Sequence, residues 1–145
     1  MIYLVISLVL YKNTKTDLND LLLSINDLSR EIKKFSYNLK FHIYDNSPTN
    51  KLKDYLVETI SRELEIIYCH DKRNKGFGYG HNKNLLGLQD NDIFIITNPD
   101  ISFESESLLR LIKFLKIKTK VSCVAPLIKD QKGSIQYSAK KNPTI

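Results

Sequence analysis

Apolar runs alternate with amphipathic stretches along this chain. Residues Ile2 to Leu10 form a continuous run rich in Val, Ile and Leu, as expected of a strand covered on both faces of a parallel sheet. A polar connection, Lys12 to Thr16, leads to a periodic segment. Its apolar positions Leu18, Leu21, Leu22, Ile25, Leu28, Ile32 and Phe35 fall on one helical stripe. Asp17 and Asp20 sit near its start, where the helix dipole favours negative charge. A second strand is predicted over Leu39 to Tyr44, stopped by Asp45-Asn46-Ser47-Pro48. Leu52, Tyr55, Leu56 and Ile60 mark a second helix, and Leu64 to Tyr68 a third strand. Lys72 to Gly80 reads as a basic, glycine-bearing loop and His81 to Leu88 as a short helix. Ile93 to Thr97 is a fourth strand, stopped by Asn98-Pro99-Asp100. Ser105 to Leu115 is a helix with Leu108, Leu109, Ile112 and Leu115 inward. Val121 to Ala125 reads as a fifth strand, and Gly133 to Ile145 as a tail with a short strand-like piece.

Strand alternating with helix predicts an α/β fold: a mostly parallel sheet with helices on both faces, in a single domain spanning 1–145. In such sheets ligands bind beyond the carboxyl ends of the strands. That rule singles out the loops after Leu10, Tyr44, His70 and Thr97.

Composition narrows the class. A chain of 145 residues with 42% hydrophobic positions can bury a core without staples. Two cysteines, Cys69 and Cys123, are too few for a disulfide scaffold and match no zinc spacing. They are expected to be reduced thiols in the cytoplasm. No apolar run reaches the ~20 residues of a membrane-spanning helix. The first run lacks the basic leader and small-residue cleavage site of a signal peptide. The net charge of +6 favours anionic partners, namely nucleotides, phosphate groups, anionic lipid headgroups or nucleic acid, without choosing among them. The tyrosines are scattered and form no stacking platform, so nucleic acid is not an expected partner.

The strand-end loops carry the candidate chemistry. Asp45 either caps its turn or accepts a hydrogen bond from a ligand, such as the imide N–H of uracil or thymine. The loop Arg73-Asn74-Lys75-Gly76-Phe77-Gly78-Tyr79-Gly80-His81-Asn82 has three alternating glycines beside Lys72, Arg73 and Lys75. It reads either as a diphosphate neighbourhood or as a surface turn. It lacks the dinucleotide fingerprint, which would need glycine at His81, and it is not a Walker A loop. Asp100 could hold a hard divalent cation, with Asn98 offering an amide oxygen or a ribose contact. His42 is read as packing within its strand. Cys69-His70-Asp71 are consecutive, so one metal would rarely use all three.

In order, the Leu10-Tyr11-Lys12-Asn13 strand end, Asp45-Asn46-Ser47, the Asn74 to Asn82 loop and Asn98-Pro99-Asp100 resemble the N-terminal half of a family 2 glycosyltransferase. So do the late Gln136-Tyr137-Ser138 and Asn142-Pro143-Thr144. The likeness covers essentially the whole chain and is nearest the rhamnosyltransferase-like branch that builds bacterial surface polysaccharides.

The resemblance implies a Rossmann-like nucleotide-binding core of the GT-A fold. The donor would be a dTDP- or UDP-linked sugar and the acceptor a saccharide or lipid-linked saccharide. By the same resemblance Asp45 would contact the base. Asn74, Gly76, Phe77, Gly78 and Asn82 would lie along nucleotide and sugar, and Asn98-Pro99-Asp100 would stand for the D-x-D motif. Asp100 would then hold Mg2+ or Mn2+ and Asn98 would face the ribose. Transfer would invert the anomeric centre.

Leu10 stands where many relatives carry Thr, and Asn98 replaces the first Asp of D-x-D. Relatives are longer, and their second half holds the acceptor site and the general base. The expectation is a donor-binding half without that base: part of a longer enzyme, a non-catalytic binding module, or half of a split enzyme. Self-association through the exposed side of the sheet, and contact with the inner face of a cell membrane, are compatible with this reading.

Overall fold

A computed structural model describes residues 2–130 and 132–136. The chain forms two compact units, one up to Ser105 and one from Glu106 onward. In the first, β1 (Ile2–Leu10), β2 (Tyr37–Asp45), β3 (Glu65–His70) and β4 (Ile93–Thr97) make one sheet in the order β3-β2-β1-β4, with every pairing parallel. The fold is α/β with a Rossmann-like core.

β1 is central, and Leu4 to Leu10 are all buried on it. Its register divides two faces. Leu4, Ile6 and Leu8 pair with Leu39, Phe41 and Ile43 on one face; Ser7 and Val9 pair with His42 and Tyr44 on the other. Helix α1 (Lys15–Glu31) starts in a capping box: Asp17 N–H donates to Thr14 Oγ1, and Thr14 N–H to the Asp17 carboxylate at 2.7 Å. Its stripe of Leu18, Leu21, Leu22, Ile25 and Leu28 is wholly covered, and each such leucine contributes about 1.5–3 kcal/mol of transfer free energy. Helix α2 (Lys53–Thr59) lies beside α1, joined by Tyr55 Oη to Asn19 Oδ1 (2.6 Å) and Asn26 Nδ2 to the Thr59 carbonyl (3.0 Å).

Helix α3 (Phe77–Asn84) covers the opposite face, against β1 and β2. It begins a turn earlier than the predicted helix at His81. Gly76, with φ of +89°, is its N-cap, so Gly78 and Gly80 belong to a helix rather than to the predicted Lys72 to Gly80 loop. A Cβ on Gly80 would stand 2.6 Å from Val9 Cγ2 and 3.1 Å from Tyr44 Cδ1. Close helix–sheet packing, which needs glycine there, overrides low helix propensity.

Helix α4 (Ser105–Ile117), which belongs to the second unit from Glu106 onward, runs slightly past the predicted end, with Ile112 buried. The predicted strand at Val121 to Ala125 is not formed. Those residues make no ladder and none is buried. The strands lie further on, β5 (Ile128–Lys129) and β6 (Ile135–Gln136), an antiparallel pair closed by Asp130 and Gly133. Tyr137, Ser138 and the Asn142-Pro143-Thr144 run lie outside the described residues. Cys69 and Cys123 are both free and exposed thiols. Among the described residues no helix is long and apolar enough to cross a membrane.

Candidate functional site

The turn after β2 ties three strand ends together. Asp45 is 1% exposed, and its carboxylate accepts from Ser47 N–H (2.8 Å) and from Tyr68 Oη (2.5 Å). Burial first, then that hydrogen bond, holds the Tyr68 phenol far above its ordinary range. Asn46 N–H donates to the Leu10 carbonyl (2.8 Å), Lys12 N–H to Ser47 Oγ (2.9 Å) and His70 Nε2 to the Ser47 carbonyl (2.8 Å). The turn-capping role of Asp45 is therefore real. A carboxylate offers about four lone-pair sites, and these two bonds occupy two of them. Asp45 also lines a cavity of about 330 Å³ with Lys12, Asn13, Ser47, Lys51 and Leu52.

Asn46 joins this turn to the loop after β3. Its side chain accepts from Lys75 N–H (3.2 Å) and donates to the Gly76 carbonyl (3.2 Å). Asn74, exposed, adopts a left-handed φ of 42°, which asparagine tolerates. Beyond it Phe77, Gly78 and Asn82 are exposed on α3, with Gly78 and Asn82 one turn apart on a shared stripe. A Cβ on Gly78 would meet nothing. The Phe77 ring stands edge-on to His81, centroids 4.3 Å apart.

Asp71 organises the cations of this loop. It accepts from Arg73 Nε and Nη2 (both 2.8 Å), lies 3.5 Å from Lys75 Nζ, and takes Tyr44 Oη at 3.3 Å. The Arg73 guanidinium holds its carboxyl well below the usual carboxylate range. Burial and the Asp71 charge push Tyr44 up to about 12. Lys75 donates to Tyr79 Oη at 3.1 Å and lowers that phenol.

Asn98 and Asp100 are exposed just past β4. Because Leu8 pairs with Thr97, that turn lies alongside the end of β1. Asp45, the Asn74 to Asn82 segment and Asn98 to Asp100 thus occupy the carboxyl ends of one sheet, and Asn46 directly bonds the first two. Among the described residues no group of three His, Cys, Asp or Glu side chains could hold a metal. Asp100 and Asn98 supply hard oxygen donors, a set that suits Mg2+ or Mn2+ only where a diphosphate completes the shell.

A buried network unanticipated by the sequence reading pins α3. His81 Nδ1 and Ser7 Oγ are 2.7 Å apart, Asn84 Nδ2 donates to Ser7 Oγ (2.9 Å), and His42 Nδ1 donates to the Asn84 carbonyl (2.8 Å). Both imidazole Nε2 atoms are buried without a partner. Ser7 on β1 and the Phe77 ring on α3 touch His81, and among the described residues no carboxylate hydrogen-bonds it. Burial lowers the His81 pKa, so the unfolded chain takes up its proton first as pH falls. Stability is expected to be whole above the ordinary imidazole value of about 6.5 and to drop below it. Urea midpoints at about pH 7.5 and about pH 5.5 check this, and His81→Leu should shrink the difference. An equal difference in the variant would remove His81 as its source.

Of the residues that build this end of the sheet, Tyr68, Asn84 and Ser7 were not anticipated, and Asn46 was read only as part of its turn. Each acts through a partner at least 23 positions away. No protein-family model matches the chain, and no curated protein does either.

Proposed function

We propose that this chain is the donor-binding part of an inverting family 2 glycosyltransferase of GT-A type, taking a dTDP- or UDP-linked sugar. The observation that carries the reading is the Asn46 bridge. It fixes the Asp45 turn and the glycine-bearing start of α3 as one rigid edge at the carboxyl ends of a parallel sheet. Asp45 would accept from the base imide at the floor of its cavity, its position held by Ser47 and Tyr68. Gly78 and Asn82 would lie against the donor, where the missing Cβ permits close approach. A divalent cation held by Asp100 and Asn98 would neutralise the departing diphosphate.

Direct displacement also needs a base for the acceptor hydroxyl. Of the carboxylates in the connections after β2, β3 and β4, Asp45 and Asp71 are already bonded, Glu104 is engaged as well, and Asp100 is the metal candidate. This favours a chain that binds donor and leaves turnover to a further segment or partner, with a saccharide or lipid-linked saccharide as acceptor. Cytoplasmic placement, with contact at the inner face of the membrane, fits that role.

Calorimetric titration with UDP, dTDP and GDP, with and without Mn2+, tests this. One nucleotide should bind in the micromolar range, tighter with the metal. Asp100→Ala, at an exposed position, should remove the metal-dependent gain alone. Asp45→Asn should weaken binding about tenfold even without metal, the cost of a charged hydrogen bond at the base. No binding by any nucleotide, or full affinity in both variants, would overturn the assignment.

A further inference from the structure

We propose that a second cavity, at the carboxyl end of β3, binds a phosphate group separately from any donor nucleotide. The cavity measures about 530 Å³ and shares no lining residue with the one that holds Asp45. Tyr44 lines the first and Asp45, its neighbour on β2, lines the second, and successive side chains on a strand leave toward opposite faces.

Lys72, Arg73, Lys75 and Lys83 line the β3 cavity against a single carboxylate, Asp71. Asp71 does not cancel them. It holds Arg73 through Nε and Nη2 and reaches Lys75 only at 3.5 Å. A guanidinium has five N–H donors, so Arg73 keeps donors for an anion beside the carboxylate. Lys75 is steadied by Tyr79 Oη at 3.1 Å, and the Lys83 ammonium stands 5.5 Å from the Tyr79 ring centroid. Both cations therefore reach the cavity from a common wall instead of ranging through solvent. Concentrating like charges in one concavity is costly unless an anion joins them. A doubly charged phosphate, with several acceptor oxygens, matches a fork of guanidinium and ammonium donors. Such a group can arrive on a soluble phosphorylated compound or as a lipid headgroup.

The test uses the full chain. Inorganic pyrophosphate is titrated calorimetrically, and co-sedimentation is measured with phosphatidylcholine vesicles with and without phosphatidylglycerol. Three paired variants each remove two charges: Lys72→Ala with Lys83→Ala in this cavity, Lys12→Ala with Lys51→Ala in the other, and Lys118→Ala with Lys120→Ala elsewhere. The first pair should weaken pyrophosphate about tenfold, and the other two pairs should hardly alter it. Saturating UDP or dTDP should leave pyrophosphate binding untouched; mutual exclusion would make this the donor's own diphosphate subsite and overturn a separate site, and if neither nucleotide binds the paired variants still decide. If the first pair also abolishes sedimentation with anionic vesicles, and pyrophosphate competes with them, the phosphate comes from a lipid. If it abolishes pyrophosphate binding while vesicles are ignored, the source is soluble. Equal losses from all three pairs, a loss confined to Lys12 and Lys51, or no binding of either probe would overturn the site.

Discussion

Gly80→Ala is expected to destabilise the chain by about 1–3 kcal/mol, although alanine is the better helix former by about 1 kcal/mol. Gly80 lies inside α3, where propensity alone predicts a gain. The new Cβ would meet Val9 Cγ2 at 2.6 Å, Val9 Cγ1 at 3.0 Å and Tyr44 Cδ1 at 3.1 Å. Val9 and Tyr44 are 6% and 3% exposed, and a β-branched valine has little rotamer freedom, so neither can withdraw. The helix must lift from the sheet or the strands must shift. Gly78→Ala should have the opposite sign, a gain of about 0.5–1 kcal/mol, because its Cβ meets nothing. If donor lies against that face, the same variant binds nucleotide more weakly while folding more stably. Urea denaturation of both variants decides the matter. A neutral or stabilised Gly80→Ala would mean that α3 stands further off the sheet than described. Adding Val9→Ala to Gly80→Ala should cost less than the two single changes together.

Asn84→Asp is expected to cost more, about 3–5 kcal/mol at neutral pH, with part of the loss recovered on acidification. The Asn84 amide donates to Ser7 Oγ at 2.9 Å, to the His42 carbonyl at 3.1 Å and to the Leu8 carbonyl at 3.2 Å, at a position only 6% exposed. The aspartate has the same shape but faces three acceptors with a charge and no donor. Protonation restores one donor, so its stability should rise as pH falls, against the trend expected of the parent chain. Asn84→Ala should cost about 2–4 kcal/mol, with no such recovery, because it strands the same acceptors without adding charge. A pH profile for Asn84→Asp parallel to the parent's would show that the carboxylate escapes to solvent.

Local pattern announced some of these elements and hid others. The unbroken apolar run from Ile2 to Leu10 reads as a buried strand and the stripe from Leu18 to Leu28 as a helix, because each carries its own period; the predicted stripe overran the helix, which ends at Glu31, followed by a 3-10 turn over Ile32–Lys34 that leaves Phe35 exposed. The start of α3 was hidden because glycine at 76, 78 and 80 suppresses the local helix signal while tertiary packing requires it at Gly80. Val121 to Ala125 misled in the other direction: a short apolar run is a strand only where a neighbour pairs with it. At the candidate site, Asp45, Asn74, Asn98 and Asp100 were visible as polar residues stopping strands. The bridging roles of Asn46, itself within that strand-stopping turn, and of Asn84 were not, since their bonds join residues 29 to 77 positions apart.

The central place of β1 carries a cost during synthesis. One side of the strand is met by β2, beginning at Tyr37, but the other waits for Ile93 to pair with Leu4. At a ribosomal pace of about 5–20 residues per second, β4 follows β1 by roughly 5–20 s. Throughout that interval a nascent chain would expose one long flank of Val, Ile and Leu with open backbone groups, the kind of edge that recruits other chains. Rare codons placed between β3 and β4 would prolong the exposure. A ribosome-stalled intermediate ending before Ile93 should therefore engage chaperones more strongly than one ending after Thr97.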